Sequence, residues 1–243
     1  MGNVSIWKPA SSAVYSSYFM MKLFLEAGVP EGVINFVPGS GKDIGPTIMK
    51  NQNLAGVHFT GSTNVFQGMW KTIGENINNY KSYPRIVGET GGKDFCIAHE
   101  SANLEELSTA MVRGAFEYQG QKCSALSRAY IPTSIWPELS KSYLKKVNEI
   151  KVGDVENFSN FMNAVIDKPA FDSIKSYIEN AKNDADAEII TGGDYDESVG
   201  YFIEPTTILT NDPKYTTMCE EIFGPVLTCL LYTSPSPRDR GRS

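Results

Sequence analysis

The 243 residues are 41% hydrophobic and 21% charged, a balance that can bury a full core and is unlike that of a disordered segment. Twenty-two basic against twenty-eight acidic side chains give a formal net charge of −6, which argues against nucleic-acid binding through a general positive field. Four cysteines, Cys96, Cys123, Cys219 and Cys229, are too few and too irregularly spaced for a disulfide scaffold, and no CxxC pair offers a zinc site; a reducing compartment and no metal are expected.

Strands and helices alternate along the chain, which predicts an α/β fold with a parallel sheet covered by helices. An apolar strand over residues 4–7 comes first. Ser11 or Ser12 then caps a helix to about residue 27, stopped by Gly28 and Pro30. A strand over 33–37, a short helix over 43–50 and a strand over 56–60 feeding a helix over 63–78 complete a βαβαβα series. Strands over 85–88 and 95–98 flank a Gly91-Gly92 break, ahead of a long helix over 104–118. A strand over 128–131, helices over 136–150 and 168–181, and strands over 187–190, 202–209 and 226–232 form a second α/β unit. Residues 234–243 hold three of the six arginines and follow an apolar strand without turn chemistry, so foreign sequence is expected there rather than a basic tail. There is no run of ~18 apolar residues to span a membrane and no secretory leader pattern, and Ile6 breaks the myristoylation pattern that Gly2 would begin.

The candidate chemistry lies in short motifs, each with a plainer reading beside it. Lys8, in Trp7-Lys8-Pro9, sits where a strand leaves the sheet and could donate to ribose hydroxyls, or merely be solvated. The glycine-rich stretch Gly39 to Gly45 is one residue too long for the dinucleotide fingerprint and fails the P-loop pattern. Phe59-Thr60-Gly61-Ser62 ends a strand at a helix start, where free amides can bind a pyrophosphate; the alternative is a simple serine cap. Glu89, before Thr90-Gly91-Gly92-Lys93, could be a general base toward water or a turn acid. Cys123, in Gly120-Gln121-Lys122-Cys123-Ser124, follows a long amphipathic helix in a polar turn, where Lys122 and nearby amides could favour a nucleophilic thiolate. His58 and His99 are far along the chain from Cys123, and no GxSxG elbow is present, so a protease-type pair is not indicated.

Taken in order, Trp7-Lys8-Pro9, Phe59-Thr60-Gly61-Ser62, Glu89 to Lys93, Gly120 to Cys123 and Glu220-Glu221-Ile222-Phe223-Gly224-Pro225-Val226 resemble the aldehyde dehydrogenase superfamily, from residue 2 to residue 230. Within it, residues 116–125 and 198–205 are similar to the branch of delta-1-pyrroline-5-carboxylate dehydrogenases, which oxidise glutamate gamma-semialdehyde in proline breakdown. The resemblance implies part of a Rossmann-type NAD-binding domain over 1–88, most of an α/β catalytic domain over 89–232, and a non-native tail over 233–243. It makes Cys123 the nucleophile and Glu89 the base toward the thioester. Lys8 would hold the adenosine ribose, and Gly61, Ser62, Thr63, Asn64 and Val65 the pyrophosphate. Glu221 would hold the nicotinamide ribose, with Phe223 beside the ring, and Ser124 would face the substrate carboxylate.

By the same resemblance the oxyanion-donating asparagine belongs before residue 1, and the substrate-anchoring loop and oligomerisation strands after residue 232. The expectation is therefore an internal fragment, inactive alone, of a homo-oligomeric NAD-dependent enzyme with an aldehyde substrate. That enzyme would be mitochondrial if eukaryotic and otherwise cytoplasmic. The alternatives are an aldehyde dehydrogenase of other substrate range and an inactive truncated binding module.

Overall fold

The computed structural model describes residues 2–233, so the arginine-rich stretch expected to be foreign lies outside the described residues from residue 234 onward. The chain divides after Thr90 into two units. In the first, β1 (Ser5–Trp7), α1 (Val14–Glu26) and β2 (Ile34–Phe36) form one parallel crossover, followed by α2 (Gly41–Met49). A second crossover is built from β3 (Gly56–Thr60), α3 (Thr63–Glu75) and β4 (Arg85–Glu89). Parallel neighbours need a connection of roughly a dozen residues or more, and each helix supplies one.

The helix ends differ in detail from the sequence expectation. No serine side chain caps α1, which is entered instead through a 3-10 turn over Ser11–Ala13. Gly28 does stop it, at a φ of +92° that favours glycine, with its amide on Leu25 O at 3.0 Å. Helix α3 stops at Glu75 rather than residue 78, because Asn76 turns its amide side chain back onto Thr72 O at 2.8 Å and a 3-10 turn follows.

The second unit is a five-stranded sheet with helices on both faces. Its elements are β5 (Asp94–Ile97), α4 (Leu104–Phe116), β6 (Leu126–Pro132), α5 (Trp136–Asn148), α6 (Lys168–Lys182), β7 (Ala187–Thr191), β8 (Tyr195–Asp196), β9 (Phe202–Ile203), β10 (Thr206–Thr210), α7 (Thr216–Cys219) and β11 (Val226–Tyr232). The sheet order is β5-β6-β11-β10-β7, parallel except for the antiparallel edge strand β7. Residues 202–209, expected as one strand, are two: β9 forms a small hairpin with β8, and β10 enters the main sheet. Pro205 stands at the break, and its missing N–H is one donor fewer for a continuous ladder.

Strand β11 has the two-residue alternation of a doubly covered strand. Leu227 and Cys229 pack with Met111, Phe116, Leu139 and Tyr143 of α4 and α5. Val226 and Leu230 pack with Phe171, Ile174, Ile178 and Met218 of α6 and α7. Burying each such side chain contributes about 1.5–3 kcal/mol. Asn103 caps α4 through Glu105 N at 3.1 Å, and Asp167 caps α6 through Ala170 N at 2.9 Å. In the core, the Tyr143 hydroxyl meets Thr207 Oγ1 at 2.7 Å, which satisfies two buried polar groups at once.

Candidate active site

Cys123 follows a strained turn. Helix α4 ends at Phe116, and Tyr118, Gln119 and Gly120 then take φ values of +55°, +57° and +65°. Two non-glycine residues in this region cost of order 1–3 kcal/mol each unless their surroundings hold them. Gln119 is buried and donates Nε2 to Ala164 O at 3.2 Å; Gln121 Oε1 accepts from Ile166 N at 2.9 Å. On the other side, a Cβ at Gly120 would lie 2.3 Å from Gly224 O, so the turn is pressed against the Phe223-Gly224 backbone.

That turn meets Glu221 across the Gly91-Gly92 pair. The Gly92 N–H donates to Glu221 Oε1 at 2.9 Å. A Cβ at Gly91 would lie 1.8 Å from Glu221 Oε2, and one at Gly92 would lie 2.1 Å from the Cys123 carbonyl oxygen. The two glycines are thus a bare spacer between a carboxylate and the backbone of a cysteine 98 positions before it in the chain. Phe223, two residues after Glu221, is itself left-handed at φ +55° and 45% exposed, which leaves its ring free for a planar partner. Cys123 and Ser124 are both exposed.

The chemistry of the four thiols separates with burial. Burial pushes Cys229 up to about 12, with Cys96 adding to the effect, and it also raises half-buried Cys96. Cys123 and Cys219 are the exposed pair. The expected support of Cys123 by Lys122 is not made: Lys122 Nζ binds Glu117 Oε2 at 3.1 Å, and Arg113 takes the other oxygen at 2.9 Å. The Lys122 hydrogen bond, then its charge, holds the Glu117 carboxyl below its ordinary range.

In the first unit, Gly61, Ser62, Thr63, Asn64 and Val65 are all exposed at the start of α3. Ser62 Oγ takes the Val65 N–H at 3.4 Å, so the serine cap is present. Only that amide is used by the cap, and the other first-turn amides keep the outward direction common to helix starts. The Gly61 N–H donates to the Glu89 backbone oxygen at 3.1 Å, placing Glu89 beside this helix start; its carboxylate has no hydrogen-bond partner among the described residues. Lys8 donates Nζ to Pro9 O at 2.7 Å, and its Cε lies 3.7 Å from where a Cβ on Gly41 would sit. The glycine-rich stretch with no assigned chemistry is therefore the neighbour of Lys8.

Sequence reasoning did not assign roles to Gln119 and Gln121, which hold the cysteine turn, or to Lys93, whose Nζ is shielded from solvent. The only sequence signal for the glutamines was two amides bracketing a glycine, the second of them two residues before the cysteine. An open depression of about 510 Å³, lined by residues 185–188 and 209–213, contains none of the candidate residues.

Against known proteins, the model of the aldehyde dehydrogenase family matches residues 1–236. The mitochondrial delta-1-pyrroline-5-carboxylate dehydrogenase of Dictyostelium discoideum is 56% identical over 234 residues, covering 96% of this chain and 42% of that protein. The delta-pyrroline-5-carboxylate dehydrogenase from Mycobacterium tuberculosis bound with NAD superposes at a TM-score of 0.89 with 47% identity, over 96% of this chain and 42% of that one. The 1-pyrroline-5-carboxylate dehydrogenase from Thermus with bound NAD gives 0.90 at 33% identity, over 96% and 45%. The chain spans about two fifths of the length of its curated relatives, 42% for the Dictyostelium protein.

Proposed function

The chain belongs to the aldehyde dehydrogenase family, and from that membership we propose that it is the central segment of an NAD-dependent enzyme oxidising L-glutamate gamma-semialdehyde to L-glutamate. The observation that carries the reading is the glycine spacer, which sets the backbone of Cys123 and the carboxylate of Glu221 on either side of one bare strip of chain. Such a spacer lets the nucleophile and a cofactor-holding carboxylate approach more closely than any side chain would permit.

The residues present fit NAD. The exposed first turn of the thirteen-residue helix α3 offers amides to a pyrophosphate. Glu221 has one donor among the described residues, so its carboxylate retains acceptor capacity for the ribose hydroxyls. Lys8, beside the 39–41 turn, is assigned to the adenosine ribose, and the exposed Phe223 ring to the face of the nicotinamide. When bound, NAD supplies the two-electron acceptor.

Cys123, as the thiolate, adds to the aldehyde carbon and forms a thiohemiacetal; loss of hydride from that carbon leaves a thioester on sulfur. Glu89 takes a proton from water as the water oxygen attacks the thioester carbonyl, and the C–S bond then breaks to release the carboxylic acid and the thiolate. Ser124 faces the carboxylate at the other end of the substrate. The activity, a homo-oligomeric state and, in a eukaryote, a place in the mitochondrial matrix are assigned to the full-length protein. The relative from Dictyostelium carries the word mitochondrial in its name.

Rapid mixing of the full-length enzyme tests the two roles. Cys123→Ala is expected to abolish NADH formation, and Glu89→Gln to give a burst of about one equivalent followed by turnover slowed about 10²-fold or more. A Glu89→Gln enzyme with neither a burst nor slowed deacylation refutes the role of Glu89, and a Cys123→Ala enzyme that still turns over refutes the nucleophile.

A further inference from the structure

Two aromatic rings of the first unit have no part in the chemistry above, yet each rests on a glycine. Phe59 of β3 and Phe66 of α3 are half-buried and stack, with ring centroids 5.9 Å apart and planes within 3° of parallel. In the parallel register Phe59 stands opposite Gly88 of β4, and Thr60 opposite Glu89. Residues paired in this way share a face of the sheet, so the missing side chain of Gly88 leaves a hole beside the Phe59 ring. Phe66 fills it: a Cβ on Gly88 would lie 2.3 Å from its Cζ and 2.5 Å from both Cε atoms. The Phe59 ring meets a second glycine, since a Cβ on Gly61 would lie 2.5 Å from its Cζ.

Both glycines belong to the candidate site. Gly61 opens the turn assigned to the pyrophosphate, and Gly88 directly precedes Glu89. The Gly61 N–H donates to the Glu89 backbone oxygen at 3.1 Å, which ties the two segments together. The Glu89 side chain is exposed and its carboxylate has no hydrogen-bond partner among the described residues, so the backbone at 88–89 sets where it projects from. Phe66 lies in the first turn of α3, its N–H on Ser62 O at 3.2 Å, and Trp70 lies edge-on to its ring at 6.4 Å. Packed against both Phe59 and Trp70, the Phe66 ring moves away from Gly88 chiefly by moving the turn that carries it.

We propose that the Phe59–Phe66 stack is a positioning wedge, seated on Gly61 and Gly88, that fixes the pyrophosphate turn and the Glu89 backbone relative to one another. The seating of NAD and the hydrolysis of the thioester then depend on the same packing. The proposal rests on the reading of residues 61–65 as the pyrophosphate site and of Glu89 as the base, and it adds the groups that set both.

The test uses the full-length enzyme, with NAD as the varied substrate and rapid mixing to separate acylation from hydrolysis. Ordinary contact begins near 3.4 Å, so Gly88→Ala displaces Phe66 or β4 by about 1.1 Å, a misplacement that costs about 10²-fold in rate. The expected result is a burst of about one equivalent of NADH, later turnover slowed about 10²-fold, and KM for NAD raised about fivefold. Adding Phe66→Leu, which removes the ring atoms in the way, should restore turnover about tenfold or more over Gly88→Ala alone. Phe66→Leu by itself should slow turnover and raise KM for NAD together, each about threefold or more, with the burst intact. A Gly88→Ala enzyme within about threefold of the parent in turnover, or a double variant no faster than Gly88→Ala, overturns the proposal. Should Gly88→Ala not fold, Phe66→Leu decides: a lower melting temperature with turnover and KM unchanged makes the stack ordinary core packing, and the proposal falls. If Glu89→Gln leaves hydrolysis unchanged, the reading of Glu89 falls and the wedge with it. If Glu89→Gln slows hydrolysis while Gly88→Ala does not, only the wedge falls.

Discussion

Adding one methyl group at Gly92 should cripple the proposed chemistry by moving the nucleophile. A Cβ there would stand 2.1 Å from the Cys123 carbonyl oxygen and 3.3 Å from its carbon, and both of those atoms are backbone. Ordinary contact begins near 3.4 Å, so Gly92→Ala must separate the two segments by about 1.3 Å, and a misplacement of that size costs about 10²-fold in rate. That is about 2.7 kcal/mol in the activation barrier. Overpacking adds about 1–3 kcal/mol of destabilisation. Gly91→Ala is the control, because the atom in its way is Glu221 Oε2, at the far end of a side chain that can swing aside. It should therefore raise KM for NAD and leave the single-turnover rate at saturating NAD much closer to the parent. Single-turnover NADH formation in the full-length enzyme, with melting curves for each variant, separates the two effects. A Gly92→Ala enzyme with a single-turnover rate within about threefold of the parent would refute the spacer argument.

Iodoacetamide at neutral pH, followed by peptide mapping, should label Cys123 fastest, Cys219 next, and Cys96 and Cys229 last. Cys229, pushed from an ordinary 9 to about 12, holds about a thousandfold less thiolate than a free cysteine. Preferential labelling of Cys229 would contradict the burial order. Tyr143→Phe should cost about 1–3 kcal/mol in urea unfolding by leaving Thr207 Oγ1 without its buried partner. Thr207→Val added to it should restore part of that loss, and a neutral single substitution would mean that the pair contributes little.

The alternation of strands and helices was legible because each element carries its own local cue. Asn103 and Asp167 mark helix starts, Gly28 a stop, and residues 226–232 an unbroken apolar strand. The failures fall where a local pattern is overridden by a distant partner. Residues 202–209 have β propensity on both sides of Pro205, and pairing with β8 claims the first part and pairing with β7 and β11 the second. Residues 117–119 continue the pattern of α4, but the ties of Gln119 to Ala164 and of Gln121 to Ile166 reverse the chain after Phe116. The motifs themselves could be read in sequence. Their mutual contacts could not, since Gly92 and Glu221 meet across 129 positions. Lys122 shows the limit of reading charge from proximity: it is next to Cys123 in the chain and binds Glu117.

Strand β11 comes last among the described strands of its sheet and yet lies at the centre, hydrogen-bonded to β6 on one side and β10 on the other. Its register pairs Thr228 with Arg128. During synthesis, the β5-β6 half and the β10-β7 half have no shared strand until residues 226–232 are made. At ribosomal speed the interval between those paired residues is about 5–20 s. For that time the apolar faces destined for Leu227, Cys229 and Leu230 are open, and the bare edge of β6 can pair with any extended chain within reach. The nascent polypeptide is thus obliged to wait with half a sheet exposed, and a holding chaperone would have its longest opportunity in this interval.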